Sequence, residues 1–146
     1  MSKLANKVAL VTGGSRGIGA AIAKRLAADG ASVAFTYAKD ASAASAVVKA
    51  IELAGGKAVA IQADAANVEA VRGAVEKAVS AFGRLDVLVN NAGTAIPKSF
   101  EEATQEEMDR VIDINVRGVF ATPRPKVHLR RWSRIGLLFL GRAASA

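Results

Sequence analysis

The sequence contains no cysteine, which excludes a disulfide scaffold, a cysteine-ligated zinc site and a thiol nucleophile. That absence suits a reducing cytoplasm, the expected location. No apolar stretch approaches the roughly 20 residues needed to span a bilayer, so no membrane partner is expected. A secretory leader is not expected either, because Met1 to Lys7 leads straight into a short strand-like run rather than a long apolar core. Tyrosine, tryptophan and histidine occur once each. The lone histidine, His128, has no evident companion ligands, so no metal is expected.

Acidic residues are missing from one end. All 13 aspartates and glutamates precede Ala121, whereas Arg124, Lys126, Arg130, Arg131, Arg134 and Arg142 lie beyond it, so nearly all of the net charge of +7 belongs to that stretch. This break divides the chain into a first unit over 1–120 and an aberrant basic tail over 121–146. The arginine run beside Trp132 could serve a nucleic acid, but a charge run is ordinarily a solvated face, and no nucleic-acid partner is expected. Arginine and proline enrichment together with the loss of acids reads as out-of-frame translation. A downstream frame of the gene encoding Tyr-x-x-x-Lys is the matching expectation.

What the first unit does contain is regular. Half of the chain is hydrophobic, and 146 residues suffice for one buried core. The apolar run Val8–Val11 precedes a helix carrying Ile18, Ile22 and Leu26 on one face and ending at Asp29-Gly30. Strand two covers 32–37, helix two about 41–53 with Val47, Val48 and Ile51 inward, and strand three 57–63. Helix three shows Val68, Val71, Val75, Ala78 and Phe82 at helical spacing. Strand four covers 85–89. Helix four opens with the capping-box pair Thr104 and Glu107 and runs through Met108, Val111, Ile112 and Val119. Such alternation implies a Rossmann-like, doubly wound parallel α/β sheet.

The turn between strand one and helix one reads Thr12-Gly13-Gly14-Ser15-Arg16-Gly17-Ile18-Gly19. Glycines let backbone approach a pyrophosphate, and a helix N-terminus offers free N–H groups and partial positive charge. The spacing Gly-x-x-x-Gly-x-Gly departs from the usual dinucleotide fingerprint, and no Lys-Ser/Thr pair follows to make a P-loop. A glycine cluster alone can be only a tight connection. Its place in a βαβ series favours the cofactor.

With Asp64 after strand three, Phe82 to Gly93 (FGRLDVLVNNAG) and the helical Asn115, the turn resembles the short-chain dehydrogenases/reductases, and most of all their 3-oxoacyl-acyl-carrier-protein reductase type, over 6–120. The resemblance implies strand order 3-2-1-4, here C-terminally truncated, and hydride transfer between a nicotinamide and a small-molecule carbonyl or alcohol. It places Gly13, Ser15, Gly17, Ile18 and Gly19 on the pyrophosphate and adjoining ribose, Asp64 and Ala65 at the adenine, and Asn91, Ala92 and Gly93 along the riboses. Asp64 can also be an ordinary strand-end turn residue. NAD enzymes place an acid at the end of strand two. Here Tyr37-Ala38-Lys39 stands there, with Arg16 nearby, so NADP(H) is expected over NAD(H); Lys39 can equally be a solvated charge.

Asn115 falls seven residues after Met108 and four before Val119, on the apolar face of its helix. The resemblance gives it a catalytic part, holding a water of the proton relay; a satisfied structural amide is the alternative. The family's chemistry further needs a Tyr-x-x-x-Lys pair and a serine. The single tyrosine, Tyr37, lies in strand two, and Ser133 and Ser145 are the only serines after Asn115. Free tyrosine has a pKa of about 10 and needs a neighbouring cation to act near neutrality. The chain is therefore expected to be inactive. Family members are homo-oligomers through the helix of Asn115, an assembly in doubt here, with strand four left as an open edge.

Overall fold

The computed structural model describes residues 2–122. The four apolar runs form one parallel sheet, as the βα alternation requires, with the strands in the order three-two-one-four that the family resemblance implies. Its strands are β1 (Val8–Val11), β2 (Ser32–Tyr37), β3 (Lys57–Gln62) and β4 (Val87–Val89). β1 is central and wholly buried, with Leu10 opposite Ala34 on one side and Leu88 on the other. Side chains alternate across the pleat. Ala9, Val11, Val33 and Phe35 face one layer, built by α1 (Gly17–Ala28) and α2 (Ala41–Leu53). Leu10, Ala34, Ile61 and Leu88 face the other, where α3 (Val68–Phe82) presents Ala74, Val75 and Ala78.

Local chemistry sets the helix ends. Asp40 and Asn67 accept the Ala43 and Ala70 N–H groups at the starts of α2 and α3, satisfying orphan donors. The Thr104–Glu107 capping box forms in full at α4 (Gln105–Ile112).

Three expectations change. Ile18 does not join the core: it is 51% exposed, and α1 packs through Gly19, Ala20, Ala23 and Ala27, whose small side chains let the helix lie close on the sheet. β4 is shorter than 85–89, and ahead of it Asp86 meets Val8 through one backbone hydrogen bond and one side-chain hydrogen bond. The Asp86 carboxylate accepts the Val8 N–H at 2.9 Å, and the Asp86 N–H donates to the Val8 carbonyl at 2.9 Å. Finally, helix four is not continuous. A π-helical turn over Asp113–Arg117 separates α4 from α5 (Gly118–Ala121). The wider turn rotates the inward face, so Ile114 is buried while Ile112 is 43% exposed.

Asp86 makes the start of the sheet sensitive to acid. Burial pushes its carboxyl up, but the Arg84 hydrogen bond, the Val8 N–H and the charges of Arg84 and Lys7 outweigh it and hold it below the ordinary range. A carboxyl with a lowered folded pKa stabilises the fold above its unfolded pKa of about 3.9, and that stabilisation fades as pH falls through the folded value. Asp86→Asn should cost about 1–2 kcal/mol at neutral pH. The gap between variant and parent urea midpoints should narrow below about pH 4. A gap that stays constant down to acid would show that the charge does not matter.

Candidate functional site

The strands end on one edge, and a cleft of about 660 Å³ opens there beside the turn after β1, within the roughly 300–1,000 Å³ of small-ligand sites. Gly13, Ser15, Arg16, Gly17, Ile18 and Gly19 line it from that turn, and Tyr37 from the end of β2. Asp64 and Ala65 line it after β3, and Asn91, Ala92 and Gly93 after β4. Of the residues singled out in the sequence, Lys39 and Asn115 lie outside this lining.

The glycine turn is shaped for close approach. Gly17 has φ +54°, and a Cβ there would meet nothing within 4 Å, which leaves its backbone open to the cleft. At Gly19 a Cβ would fall 2.1 Å from the Gly13 carbonyl oxygen and 2.5 Å from Asn91 Nδ2. The N-cap of α1, Arg16, makes no side-chain capping bond, and the first helical turn carries no acid. The N-terminus of α1 therefore keeps its partial positive charge uncompensated by any side chain.

Two threonines join the strand ends, and neither was singled out as a site residue from the sequence. The Thr12 hydroxyl accepts the N–H groups of Asn91 and Ala92, each at 3.0 Å. Asn91 returns the contact through Nδ2, donating to the carbonyls of Thr12 at 3.0 Å and Gly13 at 3.1 Å. Buried Thr36 accepts the Gly13 N–H at 3.0 Å. The loop after β4 and the glycine turn thus form one hydrogen-bonded unit. Threonine at a strand end carries no periodic signal that would reveal this.

At the far end, Asp64 Oδ1 accepts the Ala66 N–H at 3.0 Å, and Arg110 of α4 lies 3.2 Å from Oδ2 and 3.4 Å from Oδ1. The Ala66 hydrogen bond holds the Asp64 carboxyl below the ordinary range; burial opposes this, and Arg110 and the charge of Lys39 reinforce it. Arg110 was missed because it lies 46 residues from its partner, and only the tertiary fold joins them.

Asn115 sits half-buried within the π-helical turn. Its Oδ1 accepts the Thr94 N–H at 2.9 Å, and its Nδ2 donates to the Thr94 carbonyl at 2.8 Å. The side chain therefore ties the cleft-lining loop after β4 to the helix. Residues 123–146, including Pro123, Pro125, His128 and Trp132, lie outside the described residues.

A family model described as short chain dehydrogenase matches residues 7–128. The chain belongs to the short-chain dehydrogenase family. The match runs eight residues past Phe120, so family likeness continues beyond the compositional break. An uncharacterized oxidoreductase of Methylorubrum extorquens is 56% identical over 130 residues, 88% of this chain and 52% of its own length. Elsinochrome reductase 1 of Elsinoe fawcettii is 46% identical over 138 residues, 94% of this chain and 52% of its own. Among solved structures, a short chain dehydrogenase of Burkholderia cenocepacia in complex with NADP superposes with TM-score 0.80 at 57% identity, covering 82% of this chain and 49% of that one. This short-chain dehydrogenase chain spans about half the length of the curated relatives it matches. No helix among the described residues is long and apolar enough to cross a membrane.

Proposed function

We propose that residues 1–120 form a unit that binds NADP(H), and that the 146-residue chain binds without turning over substrate. The observation carrying this reading is the Gly19 closure: backbone of the glycine turn and the Asn91 amide meet where any side chain would collide, beside an uncapped helix N-terminus. Such a cradle suits a pyrophosphate, taken by the backbone of Gly13, Ser15, Gly17, Ile18 and Gly19. Asn91, Ala92 and Gly93 would lie along the riboses, and Asp64 and Ala65 at the adenine. When bound, the nicotinamide would supply hydride chemistry toward a carbonyl or alcohol carbon.

Charge supports the phosphorylated form. Among the described residues lining the cleft, Asp64 is the single acid, and it is already paired with Arg110. Arg16 lines the cleft beside Tyr37 and Ala38, and Lys39 follows. A ribose 2′-phosphate would find the Arg16 guanidinium there, with no acid in the sequence from Thr36 to Lys39. The relative from Burkholderia cenocepacia is itself complexed with NADP. The motif resemblance supports a lineage among the 3-oxoacyl-type ketoreductases, acting on a small carbonyl or alcohol. Ile112 of α4, Val116 of the π-helical turn that carries Asn115 and Phe120 of α5, exposed by 43%, 46% and 72%, support a homo-oligomeric face along these segments.

The chemistry of the residues in this stretch supports an absence of turnover. The only tyrosine lies at the end of β2, where it faces the same cleft as the glycine turn, and no lysine stands four residues after it. Losing a general acid typically costs about 10²–10⁴ in rate. Fluorescence titration should show NADPH binding the chain more tightly than NADH, with no carbonyl-dependent NADPH oxidation. Arg16→Ala should weaken NADPH about tenfold while leaving NADH nearly unchanged. Equal losses for both cofactors would refute the phosphate assignment, and oxidation at a family-like rate would refute the binding-only reading.

A further inference from the structure

We propose that Arg110 is a positioning residue that holds the Asp64 carboxylate in one orientation and thereby sets the selectivity of the cleft for a base bearing a 6-amino group. This rests on the dinucleotide reading above. Asp64 lines the cleft from the loop after β3, and Arg110 reaches it from α4. An ionised carboxylate offers about four acceptor positions over two oxygens. Oδ1 takes the Ala66 N–H at 3.0 Å, and Arg110 Nη2 spans the pair at 3.4 Å from Oδ1 and 3.2 Å from Oδ2. Two donors from two chain segments fix the plane of the group and leave acceptor capacity on Oδ2. A 6-amino group can donate to that oxygen, whereas a 6-oxo group meets it acceptor to acceptor.

The same helical segment braces the loop a second time. A Cβ on Gly118 would fall 2.4 Å from the Ala65 carbonyl oxygen, so the start of α5 rests directly on the residue after Asp64. Buried Ile114, between the two contacts, also lines the cleft. Arg110 therefore works from a support already seated on this loop. Its own pairing is half-exposed, with side-chain exposures of 53% for Arg110 and 41% for Asp64. Removing it should leave the fold intact, since exposed pairs contribute little to stability.

The test compares NADPH with its hypoxanthine analogue by fluorescence titration of the full chain. The parent should prefer the adenine form about tenfold, the worth of a hydrogen bond to a charged acceptor. In Arg110→Gln the carboxylate keeps the Ala66 hydrogen bond on Oδ1 but loses the contact that fixes Oδ2, and the preference should fall to about twofold. Asp64→Asn should also lose it, and adding Arg110→Gln to that variant should change the preference no further, because Arg110 acts through Asp64. Arg110→Gln retaining the parental preference would overturn the proposal, as would a further drop in the double variant. Failure of the parent to bind either dinucleotide would overturn the cofactor reading and this inference with it.

Discussion

Gly19→Ala is expected to weaken NADPH binding about 100-fold. The added carbon would fall 2.1 Å from the Gly13 carbonyl oxygen, 2.9 Å from its carbon and 2.5 Å from Asn91 Nδ2. None of these atoms is free to retreat. The Gly13 N–H is held by Thr36, and the Asn91 amide is committed to two carbonyls. Forcing a methyl into a closed contact costs typically 1–3 kcal/mol in strain. The strain would be relieved by opening the turn and drawing the N-terminus of α1 away from the cleft, and these are the features the dinucleotide needs. Gly73→Ala is the control: a Cβ there meets nothing within 4 Å in the middle of α3. Helix propensity predicts that it stabilises by up to about 1 kcal/mol with NADPH affinity unchanged. If Gly19→Ala folds and binds NADPH within about threefold of the parent, the closure is not what shapes the site.

That glycine was legible in the sequence because its reason is local: a turn between a buried strand and a helix has few residues that can pass so near a carbonyl. The same holds for the Thr104–Glu107 capping box and for the parallel sheet, which follows from repeated βα units, whereas the strand order rests on the family resemblance. The misreadings have a common source in tertiary contact. Ile18 obeys the helical period but opens onto the cleft, because Ala20, Ala23 and Ala27 already bring α1 close to the sheet. The π-helical turn at Asp113–Arg117 shifts a face that a regular period would continue. Arg110 and Asp64 share no spacing, and Thr12 reveals its part only when the loop after β4 is folded back over β1.

Thr12→Val should lower stability by about 2–3 kcal/mol, and it should weaken NADPH about tenfold through the same contacts. Valine keeps the shape of threonine, so packing within the buried end of β1 is preserved and the hydroxyl alone is removed. That oxygen is the acceptor for both the Asn91 and the Ala92 N–H. Without it two backbone donors at a half-buried turn lose their partner at once, and an unmade hydrogen bond costs more than a made one contributes. Asn91 would then hold the loop through its side chain only, on the Thr12 and Gly13 carbonyls, and Ala92 would drift from Gly13, where an added Cβ would now fall 3.1 Å from the Ala92 Cα. Thr12→Ser keeps the hydroxyl and sheds a methyl group. It should recover most of the affinity while remaining somewhat less stable than the parent. Urea midpoints read the first effect and NADPH titration the second. A valine variant with parental affinity would mean that Asn91 positions the loop unaided, and that the threonine serves the sheet alone.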